Sequence, residues 1–145
     1  MNSANSFNLL RLAMKKIHNV LLIDSDRDDI FLLAVALEGA IERIKYSYSF
    51  NGGDALSYLR STEILPDLIF LDIRLEGMHG LQFLSIIKRD PQYMRIPVII
   101  VTKTINLAEQ EEITRLGVKY LILKPSQYED LEPLITRTLK QLSYF

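Results

Sequence analysis

The sequence predicts an α/β fold in which five parallel strands form one doubly wound sheet, a (βα)5 arrangement. The first observation is that short apolar runs of strand length alternate along the chain with segments whose apolar residues recur at helical spacing. The second is that most of these runs are apolar throughout, as expected for strands that helices cover on both faces. Length and composition agree, because 145 residues with 48% hydrophobic residues suit one globular domain.

The predicted strands and helices alternate in chain order. The continuous apolar strands are expected at Val20–Ile23, Leu68–Leu71, Val98–Val101 and Leu121–Leu123. Another strand, second in chain order, is expected at Lys45–Phe50, because aromatic residues alternate there with polar ones as they do at a sheet edge. The helices are expected after the successive strands, at Ile30–Ala40, Ala55–Leu59, Leu81–Lys88, Leu107–Leu116 and Leu131–Leu142.

Polar residues follow four of the predicted strands directly. Right-handed crossovers give such a chain the flavodoxin-like strand order 2-1-3-4-5, whose functional crevice lies beyond the carboxyl ends of the strands. Taken singly, each residue there has an ordinary use as a cap, a strand residue or a solvated charge. Their coincidence at one edge of one sheet predicts a site instead. The residues are Asp24, Asp72, Thr102 and Lys124.

The charge balance and composition exclude several classes of partner and location. Lys and Arg number 17 and Asp and Glu number 18, so the net charge of -1 gives the chain no overall attraction to nucleic acid or anionic lipid. No apolar run approaches the roughly 20 residues that cross a membrane. Cysteine is absent, which excludes disulfides and agrees with a reducing cytoplasm. We therefore expect a cytoplasmic protein whose partners are other proteins.

Residues 1–16 form an extension in front of the predicted domain, which we place at residues 17–145. The apolar patch of this extension does not have the form of a signal peptide, because Arg11 splits it and no basic residue precedes Leu9. Phe7, Leu10 and Met14 would share one stripe of a helix that packs on the domain. A frayed tail is the alternative.

Several segments resemble, in order and in spacing, the receiver domains of bacterial two-component response regulators. They are VLLIDSD, LIFLDIRLEGMHGLQFL, IPVIIVTKT and LGVKYLILKP, which together span nearly the whole chain. The segments DRDD and DPQYMRIPVIIV are most similar to the single-domain regulators found beside phytochrome-like kinases. The resemblance implies a stand-alone regulator in a phosphorelay, which promotes only its own phosphotransfer and dephosphorylation and is otherwise not an enzyme.

The resemblance also implies a role for each residue of the predicted site. Asp72 would accept a phosphoryl group from a kinase histidine. Thr102 would donate a hydrogen bond to the phosphoryl oxygens, and Lys124 would pair with Asp72 and then with the phosphate. Mg2+ would be held by Asp72, by Asp24 through water, and by the backbone carbonyl of Arg74, all of which are oxygen ligands that this cation prefers. The Arg74 side chain is expected over the phosphoryl group, with a solvated side chain as the alternative.

The metal site departs from the family pattern at Ser25, which stands where the family has a second acid in contact with the metal. A hydroxyl carries no charge, so we expect a weakened Mg2+ site. Ser25 is predicted to cap the first helix instead, and Asp26 is a further candidate metal ligand. The family also keeps the peptide bond between Lys124 and Pro125 in the cis form, and we expect the same here.

Three further departures concern the loops and the last strand. Glu76 and His79 replace a proline and an aspartate that commonly follow the phosphoacceptor, and the histidine is expected to be structural. Leu121 stands where an aromatic side chain normally turns inward on phosphorylation. Tyr120 is one position away and is therefore expected on the opposite face of the strand, where it is a poor substitute.

The partners that the resemblance implies are a sensor histidine kinase, of the phytochrome-like kind, and a downstream protein or histidine phosphotransfer protein. The implied interaction surface is Leu107–Leu142, which would also serve a homodimer. The alternative is a degenerate receiver that binds its partners without phosphate. A flavin-binding protein is disfavoured because the acids after the first strand would repel a phosphate, and an aspartate phosphatase because Arg74 occupies the position of its second acid.

Overall fold

The computed structural model describes residues 17–143, so the predicted extension at residues 1–16 lies outside the described residues. Within them, strands and helices alternate as the sequence predicts. The strands are β1 (Asn19–Ile23), β2 (Lys45–Ser49), β3 (Leu68–Leu71), β4 (Val98–Thr102) and β5 (Tyr120–Leu123). The helices are α1 (Arg27–Ala40), α2 (Gly52–Ser61), α3 (Gly80–Lys88), α4 (Leu107–Arg115) and α5 (Leu131–Ser143).

The five strands form one parallel sheet in the order β2-β1-β3-β4-β5, which confirms the predicted fold class and strand order. In the register of the sheet, Ile23 at the end of β1 lies opposite both Ser49 of β2 and Leu71 of β3. Thr102 at the end of β4 lies opposite Leu123 of β5. The residues that follow these strands therefore meet at one edge of the sheet.

Two hydrophobic cores hold the sheet, one on each face. Because side chains alternate along a strand, Leu21 and Ile23 of β1 pack toward α2, α3 and α4, whereas Val20 and Leu22 pack toward α1 and α5. Each of these four side chains is almost entirely buried. Burial of a side chain of this size stabilises the fold by about 1.5–3 kcal/mol, so the continuous apolar strands fix the sheet between the helices.

The edge strand β2 lies where the sequence predicts it, but its burial does not alternate regularly, because Lys45 is exposed together with the tyrosines. Tyr46 and Tyr48 are exposed, and Ser49 is buried next to β1. Tyr48 contacts the ring of Phe50, which follows the strand, and the Arg27 guanidinium lies 4.6 Å from the centre of that ring. The aromatic residues of this segment thus pack at the sheet edge.

A glycine brings the start of α3 against the chain that leaves β3. A Cβ atom at Gly80 would lie 2.4 Å from the Cα of Ile73 and 2.6 Å from the backbone oxygen of Asp72. Any larger residue would therefore displace the backbone beside Asp72.

Among the described residues, no helix is both long and apolar enough to span a membrane.

Candidate functional site

The four polar residues predicted at the strand ends lie together at the carboxyl edge of the sheet. The ladder of backbone hydrogen bonds continues past the strands and fixes three of them: Asp24 N donates to the Ser49 oxygen at 3.1 Å, Asp72 N to the Ile23 oxygen at 2.9 Å, and Lys124 N to the Thr102 oxygen at 2.8 Å. The side chains of Asp24 and Asp72 are buried, and Thr102 is fully buried.

The Lys124 ammonium is the centre of the cluster. Its Nζ donates to Asp24 Oδ2 at 2.6 Å, to Asp72 Oδ2 at 2.6 Å and to Asp29 Oδ2 at 2.8 Å. Sequence reasoning missed Asp29, which lies in the first turn of α1 and directly precedes the buried Ile30. A helix predicted to begin at Arg27 rather than at Ile30 would have placed this carboxylate at the same edge.

The electrostatics of the cluster favour a charged lysine. Burial by itself lowers the pKa of Lys124, but the hydrogen bonds to Asp24, Asp29 and Asp72 outweigh it and raise this pKa well above its ordinary value. Burial raises the pKa of Asp24, against the opposing effect of its bond to Lys124. Three carboxylates face one ammonium, so the edge has an excess of acidic groups and can accommodate a further cation.

A comparison with known proteins identifies the family. Residues 20–136 match the response regulator receiver domain. The chain belongs to this family. Among its relatives is the probable methanogenesis regulatory protein FilR2 of Methanothrix harundinacea, which is 30% identical over 132 residues, covering 87% of this chain and 81% of FilR2.

Solved structures agree with the assignment as a receiver domain. The phosphorylated cyanobacterial phytochrome response regulator RcpA is 28% identical with a TM-score of 0.78, over 83% of this chain and 90% of RcpA. The bacteriophytochrome response regulator AtBRR is 25% identical with a TM-score of 0.69, over 82% of this chain and 90% of AtBRR. The resemblance inferred from the sequence is therefore confirmed, and family membership places the chain in two-component signalling.

Receiver domains bind Mg2+, and the donors at this edge are suitable for it. Asp24 and Asp72 already converge on one cation, the Lys124 ammonium, and Arg74 N donates to Asp72 Oδ1 at 2.9 Å, so the Arg74 peptide lies beside the Asp72 carboxylate. Among residues 17–143, no three His, Asp or Glu side chains are arranged to hold a metal by themselves. Mg2+ commonly takes only one or two protein carboxylates and completes its coordination with waters.

In this receiver domain Ser25 joins two loops. It does not cap α1, although the sequence predicted that it would. Its Oγ donates to the Phe50 oxygen at 2.9 Å and accepts from Glu76 N at 2.9 Å. The cap of α1 is Asp26, whose Oδ1 accepts from the backbone N–H groups of residues 28 and 29. The prediction was wrong by one residue because the helix begins at Arg27, which leaves the serine free to bridge the loops.

The Asp26 carboxylate, a candidate metal ligand, is thus engaged at the helix N-terminus. The backbone N–H of Asp26 donates to Asp24 Oδ1 at 2.9 Å and so holds the Asp24 carboxylate in place. The side chain of Asp26 is exposed. The structure therefore brings Asp24, Asp72 and Lys124 together and leaves the Asp26 side chain at the cap.

The Arg74 side chain extends to α4 and not over Asp72. Its Nη1 and Nη2 donate to Glu109 Oε2 at 2.8 Å and to Glu109 Oε1 at 2.6 Å, and Nη2 lies 3.4 Å from the Thr104 oxygen. Neither expectation, a phosphoryl contact or a solvated side chain, describes this two-point ion pair. Glu109 lies 35 residues further along the chain, and no local sequence pattern signals the pairing.

His79 and Glu109 each support a helix start. His79 Nδ1 accepts from Leu81 N at 3.1 Å at the beginning of α3, and its Nε2 lies 3.6 Å from Glu109 Oε2. Glu109 Oε1 accepts from Asn106 N at 3.0 Å, and Asn106 Oδ1 accepts from Glu109 N, which makes a capping box at α4. Burial tends to raise the pKa of Glu109, but the bonds from Asn106 and Arg74 outweigh it and hold this pKa below its ordinary value.

The last strand bears out the prediction for Leu121 and Tyr120. Leu121 packs with the core under α2, α3 and α4, and Tyr120 packs with the core under α1 and α5, on the opposite face of the sheet.

The expectation of a cis bond before Pro125 is wrong, because the described residues contain no cis peptide bond. Lys124 contacts Asp72 with the bond in its trans form.

Proposed function

We propose that this receiver domain accepts a phosphoryl group on Asp72 from a sensor histidine kinase and passes the signal on through protein contacts. The observation that supports it best is the buried Asp72 carboxylate, which lies 2.6 Å from the Lys124 ammonium at the carboxyl edge of the sheet. A carboxylate so placed is a nucleophile whose approach to phosphorus is favoured by a fixed positive charge.

In the proposed transfer, an oxygen of Asp72 forms a bond to phosphorus as the bond from phosphorus to the kinase histidine breaks. Asp72 Oδ1 is held by the Arg74 N–H, and Oδ2 is held by Lys124. Lys124 neutralises charge on the acyl phosphate, and the Thr102 hydroxyl turns from the Thr104 oxygen, 3.3 Å away, to a phosphoryl oxygen. Catalysis of this kind is positioning and electrostatics rather than covalent chemistry by other residues.

The cation in the proposal is Mg2+, held by Asp72, by Asp24 through water and by the Arg74 backbone carbonyl. When bound, Mg2+ would neutralise charge on the phosphoryl oxygens. The Ser25 hydroxyl supplies no charge, and both of its hydrogen bonds go to the backbone. We infer that the site is weaker than one with an acid at position 25.

The partners are proposed from the chemistry of the site and from the relatives. RcpA and AtBRR are phytochrome and bacteriophytochrome response regulators, which supports a phytochrome-like histidine kinase as the phosphodonor. The output would be a downstream protein or a histidine phosphotransfer protein in the cytoplasm. The surface at Leu107–Leu142 presents exposed apolar side chains for this purpose or for a homodimer, namely Leu107, Leu123 and Tyr128.

A second candidate function is that of a degenerate receiver that binds its partners without phosphate. The observations in its favour are the uncharged Ser25 at the metal site and Leu121 at the position of the switching aromatic residue. Neither reading requires the protein to act on any substrate other than its own phosphoryl group.

Phosphorylation of the Asp72→Asn variant tests the proposal. Wild type treated with acetyl phosphate and Mg2+ should gain the mass of one acid-labile phosphoryl group, and D72N, which is nearly isosteric, should gain none. The matched control is Asp28→Asn, an exposed acid of α1 outside the cluster, which should label like wild type. Undiminished labelling of D72N would overturn the assignment, and a wild type that gains no phosphoryl group would favour the degenerate receiver.

A further inference from the structure

We propose that Glu109 is a positioning residue that binds the Arg74 guanidinium before phosphorylation. After phosphorylation, Arg74 moves from Glu109 to the phosphoryl group on Asp72. This contact lengthens the lifetime of the acyl phosphate. The inference rests on the proposed phosphorylation of Asp72. It concerns a contact between the loop after β3 and the first turn of α4, which are brought together only in the folded chain.

The Arg74–Glu109 ion pair is well formed in the unphosphorylated domain. Both terminal nitrogens of Arg74 meet both carboxylate oxygens of Glu109, at 2.8 and 2.6 Å, in the two-point geometry that a guanidinium and a carboxylate favour. Only 11% of the Glu109 side chain is exposed, compared with 42% of the Arg74 side chain. The buried acid is thus the fixed partner, and the arginine is the one with room to move.

The backbone of Arg74 is already at the phosphoacceptor. Its N–H donates to Asp72 Oδ1 at 2.9 Å, so the side chain starts beside the carboxylate that would carry the phosphoryl group. A phosphoryl group adds a charge of about -1.5 to -2 and three acceptor oxygens, against a single negative charge on Glu109. The guanidinium would therefore find a stronger partner close to its own backbone after transfer.

One carbonyl group links Arg74 to Thr102. The Thr104 oxygen accepts from Thr102 Oγ1 at 3.3 Å and from Arg74 Nη2 at 3.4 Å, and both distances are long for hydrogen bonds. A phosphoryl group on Asp72 would offer better acceptors to both donors at once. The movement of the Thr102 hydroxyl that the proposed function requires would thus accompany the release of Arg74.

Glu109 can lose Arg74 without the loss of its helix. Its Oε1 still accepts from Asn106 N at 3.0 Å in the capping box, and His79 Nε2 lies 3.6 Å from Oε2. The first turn of α4, which begins with the exposed Leu107, would then lose its tie to the loop after β3. This route to α4 does not need the aromatic residue that Leu121 replaces.

The test compares the lifetime of the acyl phosphate in four proteins: wild type, Glu109→Gln, Arg74→Ala and the double variant. After labelling with acetyl phosphate and Mg2+, the label is lost as water attacks phosphorus and the bond to Asp72 breaks. E109Q frees Arg74 and should lengthen the half-life by at least about threefold, as one charge-assisted hydrogen bond allows. R74A should shorten it, and the double variant should match R74A, because Glu109 acts only through Arg74.

The controls separate positioning from a structural effect. Gln at position 109 keeps a carbonyl oxygen for Asn106 N, so the capping box can remain. Glu112→Gln removes another acid of α4, one that pairs with Arg115, and should leave the half-life unchanged. Arg74→Lys keeps the charge without the two-point geometry and should give a half-life between those of wild type and R74A, a measurement that does not depend on the folding of E109Q.

Three results would overturn the inference. An acyl phosphate half-life in E109Q equal to that of wild type would show that Glu109 does not compete with the phosphoryl group for Arg74. An equal effect of E109Q with and without Arg74 would show that Glu109 acts through something else. A wild type that acquires no phosphoryl group would end the proposed function together with this inference, whereas the first two results leave phosphorylation of Asp72 standing.

Discussion

The Lys124 ammonium has three hydrogen-bond donors, and each meets a different carboxylate. Asp24 and Asp72 directly follow β1 and β3, and Asp29 lies in α1, so this one side chain ties the first turn of α1 to two strand ends. Each bond is charge-assisted and shorter than an ordinary N–H···O bond. The phosphoryl group would therefore have to draw Lys124 away from at least one of these acids.

At the same scale, the Ser25 hydroxyl has a structural use, since it both donates and accepts a hydrogen bond. Its two hydrogen bonds join the chain after β2 to the loop after β3, across the chain after β1. An aspartate there could not donate to the Phe50 oxygen. Ser25 thus holds together the loops that surround the proposed metal site.

The first prediction concerns Ser25→Asp. The added carboxylate should tighten Mg2+ binding by at least about tenfold, since even changes beyond the direct ligands alter metal affinity by 10–100-fold. It should also lower the unfolding free energy by about 1–3 kcal/mol, because the Phe50 oxygen loses its donor. Calorimetric titration with Mg2+ and urea unfolding measure the two effects.

Ser25→Asn is the matched control, because it has nearly the shape of aspartate, carries no charge and can still donate to Phe50. It should bind Mg2+ no more tightly than wild type. If wild type and S25D bound Mg2+ equally, the site would already have a substitute for the missing acid.

At the scale of the element, α1 is positioned by its cap. Asp26 Oδ1 accepts the N–H groups of Asp28 and Asp29, and this sets the first turn so that the Asp29 carboxylate faces Lys124. The Asp26 N–H in turn donates to Asp24. The start of one helix therefore orients two of the acids in the cluster.

The second prediction concerns Asp26→Ala. Loss of the cap should lower the unfolding free energy by about 1 kcal/mol, the usual cost of removing an N-cap aspartate. Mg2+ affinity should stay within about twofold of wild type, because the Asp26 carboxylate is engaged at the helix end and not in the cluster. Asp28→Ala, in the same turn without a capping bond, should cost less stability. A large loss of Mg2+ affinity in D26A would place Asp26 among the ligands.

At the scale of the whole molecule, the sheet gathers acidic groups at one buried edge. Three carboxylates share one ammonium there, and burial raises the pKa of Asp24, so its ionised form is held at a cost to the fold. The two cores on either face of the sheet offset this cost. A cation that binds only the folded chain would reduce it.

The third prediction follows from this balance. Mg2+ should raise the unfolding free energy of wild type by up to about 2.7 kcal/mol at a hundredfold excess over its dissociation constant. Asp24→Asn should respond much less, because it removes one carboxylate of the proposed metal site, whereas the exposed D28N should respond like wild type. Urea unfolding with and without Mg2+ measures the difference. An equal response of D24N and wild type would remove Asp24 from the ligands.

The sequence by itself determined the layout of this receiver domain. Buried parallel strands must be apolar throughout, so their positions, their order and the polar residues directly after them could be predicted from the pattern alone. The two-residue period of a strand likewise separated Leu121 from Tyr120 correctly. These features depend on local periodicity and on rules of connection, which a single sequence contains.

Only the tertiary structure decided how the polar side chains pair. Helix α1 begins at Arg27 and not at the predicted Ile30. Asp29 therefore faces Lys124 from the first turn of the helix, and Ser25 bridges two loops. Arg74 has a long side chain with many possible rotamers. Its observed rotamer is fixed by the ion pair with Glu109 of α4, which is distant in sequence. Such contacts join loops that are distant in sequence, and their geometry is set by the packing of the helices on the sheet rather than by any local pattern.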